Sequence, residues 1–138
     1  MIDFSGELGA RAHQRLMTEQ VIWLTTVAPS GMPQPRPVWF LWDGSAFLIY
    51  SQPSAKKLEH IARQPQVALH FNSTSDGDDI QVFLATATID RSPPLAQNMD
   101  AYLVKYRAAI KDIGMTPETL SASYNVLIRA LPAKLRGM

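Results

Sequence analysis

The sequence predicts a mainly β fold, a small barrel of five or six mostly antiparallel strands with helices at its periphery. Three observations carry that reading. Runs rich in β-branched and aromatic residues recur along the chain, and such residues suit a pleated, half-buried surface. Turn residues (Pro29, Ser30 and Gly31, then Asp43, Gly44 and Ser45) separate the early runs, as hairpin connections require. Helical periodicity is confined to stretches inserted between the strands, which places helices around the barrel.

In chain order, residues 7–20 carry Leu8, Ala12, Leu16 and Met17 at helical spacing and predict a short amphipathic helix. Residues 21–27 form the first strand. Residues 32–42 form the second, with Pro33, Pro35 and Pro37 at alternate positions. Proline donates nothing to a ladder, so this run reads as an edge strand with a donor-free side. Residues 46–51 pair back across the Asp43–Gly44 turn. Ser54 is the expected N-cap of a helix carrying Lys57, Leu58, Ile61 and Ala62, which stops at Pro65. Strands follow at 66–72 and 80–90, separated by the polar stretch 73–79. A helix over 95–113 shows Met99, Tyr102, Leu103 and Tyr106 on one face, an arrangement that fits core packing and a subunit interface equally well, and Gly114 ends it. Thr116 and Pro117 open a further short helix. Residues 125–131 read as the last strand and 132–138 as a basic tail.

The chain has 138 residues, of which 46% are hydrophobic and 18% charged. That hydrophobic share rules out a disordered chain, and the length provides for one core that buries roughly two-thirds of the unfolded surface. Thirteen Lys and Arg against twelve Asp and Glu leave a formal charge of +1, which argues against general nucleic-acid binding. The absence of cysteine excludes disulfides, zinc–thiolate sites, iron–sulfur clusters and a cysteine nucleophile. The first residues lack the basic head and apolar core of a signal peptide, and no apolar run approaches the roughly 20 residues of a membrane span. The expectation is a soluble, cytoplasmic protein that binds neither membrane nor nucleic acid.

Most catalytic arrangements fail. His13, His60 and His70 have no metal-ligand spacing, no Gly-x-Ser-x-Gly elbow or glycine-rich phosphate loop occurs, and Asp76, Asp78 and Asp79 lack the rest of a calcium loop. Two neighbouring segments remain. One is the edge strand with Arg36, Pro37, Val38, Trp39 and Phe40. The other passes from Tyr50 and Ser51 through Ser54 to Lys56 and Lys57 in the first turn of a helix. A helix N-terminus carries free N–H groups and partial positive charge. Two lysines there oppose the dipole unless an anion joins them, although an ordinary solvated pair fits the residues as well. Trp23, Trp39 and Trp42 serve as core or as a flat platform. A planar heterocycle beside the edge strand would find hydrogen-bonding partners in its backbone N–H and C=O groups. Together the segments describe a site for a planar ring with a phosphate-bearing tail.

The same residues carry a resemblance. Arg36 to Gly44, Leu48 to Ser51, Lys57 and Leu58, Ile61 and Ala62, Pro65 to Val67, Tyr102 to Tyr106 and Gly114 to Glu118 resemble, in this order, the pyridoxamine 5'-phosphate oxidase-like split β-barrel proteins. The likeness is to their small branch that uses the deazaflavin F420. It implies one split-barrel domain over residues 1–138 and a homodimer with cofactor sites at the interface. It further implies an oxidoreductase that transfers a hydride between F420 and a small organic acceptor. FMN is the alternative cofactor, and a non-enzymatic F420 carrier is a further alternative. By the resemblance, Lys57 holds the phosphate or acidic tail with Lys56 and Ser54 assisting, and Arg36 also serves phosphate. Val38, Trp39 and Phe40, with Pro37, Tyr50 and Ser51, flank the ring, and Arg136 reaches in from the partner chain. It assigns no acid or base and no metal ligand.

Overall fold

The computed structural model describes residues 2–138. Its elements run α1 (Gly6–Thr18), β1 (Val21–Val27), β2 (Pro33–Trp39), β3 (Leu41–Trp42), β4 (Phe47–Ser51), α2 (Lys56–Arg63), β5 (Gln66–His70), β6 (Gln81–Asp90), a 3-10 turn (Ala96–Asn98), α3 (Asp100–Asp112), α4 (Pro117–Ser123) and β7 (Val126–Gly137). All pairings are antiparallel, in the order β2-β1-β5-β6-β7-β4-β3. The two edge strands, β2 and β3, are separated in sequence by Phe40 alone. One bent run therefore supplies both edges, and the sheet must roll until they meet. This is the split-barrel architecture, mainly β with four α-helices among the described residues.

Alternation decides what fills the roll. β1 buries Ile22, Leu24 and Thr26, and β6 buries Gln81, Phe83, Ala85 and Ala87, the period-two pattern of a strand with one core face. Phe47 and Phe83 meet edge-on at 5.1 Å in the interior. Leu16 of α1 and Leu58 and Ile61 of α2 join the same cluster. β4 is different, because all five of its residues are buried. Phe47 and Ile49 face the interior, while Leu48 and Tyr50 belong to a second apolar layer with Tyr102, Tyr106 and Ile110 of α3 and Leu120 of α4. Among the described residues, no helix is long and apolar enough to cross a membrane.

Four sequence expectations are corrected. The edge run 32–42 is not one strand. At Phe40 the ladder to β1 lapses and the Tyr106 hydroxyl takes its place, accepting from the Phe40 N–H at 2.7 Å and donating to the Gln20 carbonyl at 2.6 Å. The basic tail is not a tail, because residues 132–137 continue β7 along β6. The register shifts between Leu84 and Ala85, so that Ala133 is left without a partner beside Pro132, which stands opposite Ala85 and has no N–H to give. The helix over 95–113 is split, its first turn being 3-10 and its α-helical part starting at Asp100. Ser54 does not cap α2. Ala55 holds that position, with its carbonyl accepting from the Leu58 N–H at 3.1 Å.

The hairpin at Asp43, Gly44 and Ser45 is as expected. The Asp43 carboxylate accepts from the N–H groups of Ser45 (2.8 Å) and Ala46 (2.7 Å), and Gly44 takes φ +98°, a conformation that costs glycine nothing.

Candidate functional site

Between the outer surface of the rolled sheet and the pair α3–α4 lies a cavity of about 410 Å³, within the range of small-molecule sites. β2 contributes Pro37, Val38 and Trp39, β4 contributes Tyr50, α2 contributes Lys57, and α3 contributes Tyr102. Val21, Ile113, Leu120 and Tyr124 complete the wall. Five of the sequence-selected residues thus meet at one place although they come from three elements.

The walls are held rigidly. Trp39 stacks on Tyr106, with ring centres 4.6 Å apart and planes 8° from parallel. Tyr106 is in turn fixed by its hydroxyl in the seam between Phe40 and Gln20. Tyr50 donates to the Pro94 carbonyl at 2.5 Å, which ties β4 to the segment before α3. Burial pushes the Tyr50 phenol up to about 12 and raises Tyr102 and Tyr106 as well. These hydroxyls stay protonated at neutral pH.

The charge at the site is one-sided. Burial pushes the Lys57 ammonium below the usual lysine range, and the neighbouring Arg36 guanidinium pushes it in the same direction. Among the described residues the ion pairs are made by Arg11, Arg15 and Arg129, and none involves Arg36, Lys56 or Lys57. Two cations beside each other, one half-buried and neither matched by an acid, make an arrangement that an anion would complete. The first turn of α2 has no side-chain cap, so its N–H groups add to the positive field.

The remaining sequence-selected residues are placed as follows. Arg36 is exposed on β2 next to Pro37, and Lys56 and Ser54 are exposed around the start of α2. Ser51 is buried and donates to the Gln52 carbonyl at 3.0 Å, so its hydroxyl is already committed. Phe40 is fully buried in the barrel interior. Lys105 sits 3.6 Å from the centre of the Phe40 ring and donates to its carbonyl at 2.6 Å. Burial lowers that ammonium to about 8, with Glu19 working the other way. Arg136 lies in β7 opposite Val82, beside a second cavity of about 490 Å³ that Ile2, Asp3 and Lys134 also line. In this chain it is not part of the aromatic cavity.

The free edge of β2 is donor-free from Pro33 to Pro37, as the prolines predict, so it offers a ring carbonyls rather than the N–H groups also expected there. Because Pro33, Pro35 and Pro37 cannot donate, the ladder to β1 must run through Gln34, Arg36 and Val38, opposite Thr26, Leu24 and Ile22. The free edge therefore offers carbonyls at 33, 35 and 37, and its first N–H is that of Trp39. Sequence reasoning placed Tyr102 on an apolar helical face and passed over its hydroxyl. The available signal was tyrosine, rather than leucine or phenylalanine, at two positions of that face. Among the described residues no group of three or more His, Asp or Glu is placed to hold a metal, and no histidine lines the cavity.

Comparison with known proteins agrees with this fold. The profile of the pyridoxamine 5'-phosphate oxidase family matches residues 8–133. A candidate pyridoxamine 5'-phosphate oxidase from Listeria innocua superimposes with a TM-score of 0.67 at 24% identity, covering 94% of this chain and 97% of that one. An F420 reductase gives 0.69 at 21%, covering 90% and 94%. HutZ, the haem storage protein from Vibrio cholerae, gives 0.65 at 15%, covering 96% and 95%. No curated protein matches the sequence.

Proposed function

The chain belongs to the pyridoxamine 5'-phosphate oxidase family, and from that premise we propose that it is an oxidoreductase of the cytoplasm that binds the deazaflavin F420. The observation that carries this reading is the unmatched pair Arg36 and Lys57 at an aromatic cavity. An anionic tail supplies the missing charge, and the apolar walls suit a planar ring. When bound, reduced F420 supplies a hydride to a small organic acceptor. Lys57 and Arg36 hold the tail, assisted by Lys56 and the open N–H groups of α2. Trp39 and Tyr50 orient the ring, and with Leu120 and Ile113 they keep water from it.

FMN is the second reading, since its phosphate and ring make the same demands. Haem, which HutZ stores, is favoured less. No histidine lines the cavity, and its tyrosines are held in the protonated form that ligates iron poorly. The choice of F420 over FMN rests on the order of segments from Arg36 to Glu118 and on the fold shared with an F420 reductase. The chain works as a homodimer with a site at each interface, where the partner's Arg136 reaches the tail.

Fluorescence titration with F420 and FMN in parallel tests this. Saturable F420 binding that weakens in Lys57→Ala supports it. Tight binding of FMN alone moves the assignment to the second reading, and saturable binding of neither ends it. F420 that binds tightly while no acceptor is reduced identifies a carrier instead.

A further inference from the structure

Tyr50, Tyr102 and Tyr106 pack together in the outer layer, and two of their three hydroxyls are accounted for. That of Tyr106 closes the seam at Phe40, and that of Tyr50 binds the Pro94 carbonyl. The Tyr102 hydroxyl has no hydrogen-bond partner among the described residues, although Tyr102 is only 2% exposed. Among the described residues no buried side-chain oxygen or nitrogen is fully sealed off without a partner, and Tyr102 lines the aromatic cavity. Its hydroxyl therefore has its opening onto that cavity.

Packing does not explain the oxygen. The ring meets Tyr50 edge-on at 5.3 Å and Tyr106 at 4.8 Å, contacts that phenylalanine would make equally well. A hydroxyl reached by solvent in the free protein loses that partner when a ligand fills the cavity, so the occupant must supply an acceptor in its place. Burial keeps the phenol protonated far beyond neutral pH, which leaves it able to donate. Lys57, in the same cavity, is suited to the anionic part of a ligand and leaves the neutral part to Tyr102.

We propose that the Tyr102 hydroxyl donates a hydrogen bond to a carbonyl oxygen of the ring that fills the cavity, and so selects ligands whose ring carries such an oxygen. This rests on the cofactor reading above, since flavin and deazaflavin rings both carry carbonyls. Tyr102 is then a ligand-orienting residue, separate from the cations that hold the tail.

The experiment compares wild type, Tyr102→Phe and Lys57→Ala in titrations with F420 and FMN, recording the dissociation constant and the absorption spectrum of the bound ring. For Tyr102→Phe the dissociation constant should rise roughly 3- to 10-fold for the ligand that binds. The shift of the ring's long-wavelength band on binding should change, and the melting temperature without ligand should stay within about 2 °C of wild type. Lys57→Ala should weaken binding without changing the bound spectrum. An unchanged constant and spectrum in Tyr102→Phe overturn this proposal while leaving the cofactor reading in place. A melting temperature lowered beyond that margin also overturns it, because the hydroxyl then has a partner within the fold. Wild type that binds neither F420 nor FMN overturns both.

Discussion

Arg15 and Lys57 are both cations drawn out of bulk water, and the fold treats them in opposite ways. Arg15 is 5% exposed, and its guanidinium lies 4.7 Å from the centre of the Phe71 ring. It donates to Gln81 Oε1 at 2.8 Å, to the Asn72 carbonyl at 2.8 Å, to the Asp79 carbonyl at 3.1 Å and to Glu19 Oε1 at 3.1 Å. Arg11 closes the cluster by pairing with Asp79 at 2.9 Å. Lys57 has no acid paired with it among the described residues and faces a second cation. Folding completes the first cluster and leaves the second open. Buried charge with every partner supplied belongs to architecture, whereas buried charge without one points to something outside the chain.

The sharpest way to break the contrast is Arg15→Ala. It strands the Gln81, Asn72 and Asp79 acceptors and should cost about 3 kcal/mol, read as a lower midpoint in urea with ligand binding intact after correction for the folded fraction. Lys57→Ala should do the reverse. Affinity for F420 or FMN falls roughly 10- to 100-fold, the scale of a charge-assisted bond, while the melting temperature of the free protein holds or rises. If Lys57→Ala unfolds the protein as Arg15→Ala does, the distinction between the two clusters is lost.

The clusters also titrate at opposite ends of the pH scale. Asp79 is held down to about 2, first by its hydrogen bond from Arg11 and then by Gln81. Its stabilisation is complete above the ordinary carboxylate range near 4 and is lost as pH falls toward 2. Lys57 and Lys105 are shifted below their ordinary value, Lys105 to about 8. Between the folded and unfolded values the unfolded chain binds more protons, so stability should rise from about pH 8 toward 10. Above about 10 it should fall, as the tyrosines ionise more readily in the unfolded chain than when buried. Denaturation midpoints across pH 2–11 check both arms, and Lys105→Met should flatten the alkaline rise. The smallest effect belongs to Arg129, which pairs with Asp43 at 3.0 Å in a largely solvated setting. Arg129→Ala should change stability by less than about 1 kcal/mol, a baseline for a cation that is paired but wet.

What could be read from the chain divides along the same line between local and distant causes. The strands at 21–27, 46–51 and 66–72 were legible because their β-branched and aromatic runs, or at 66–72 their alternation, and the turn residues beside them are local signals. The break at Phe40 was not, since the side chains that hold it, Tyr106 and Lys105, come from a helix more than sixty residues later. The extension of β7 past Pro132 was hidden because only β6 and a shift in register make that proline tolerable. At the candidate site, Pro37, Val38, Trp39, Tyr50 and Lys57 were named from residue type and do line one cavity. Ser51 and Phe40 were named with them, but the backbone turns both inward, Ser51 at the end of β4 and Phe40 in the break between β2 and β3. The helix of Tyr102 was seen as an apolar face, and only packing reveals that one of its hydroxyls is left over.

The seam at Phe40 gives the molecule a built-in clock. Throughout most of a sheet an amide proton is guarded by the neighbouring strand, and it exchanges with solvent when strands part. The Phe40 amide is guarded instead by a phenol on α3. Its exchange rate therefore times the residence of that helix on the barrel, not the opening of the barrel itself. Since α3 also walls the cavity, an occupant should slow this one proton before it slows any in β2.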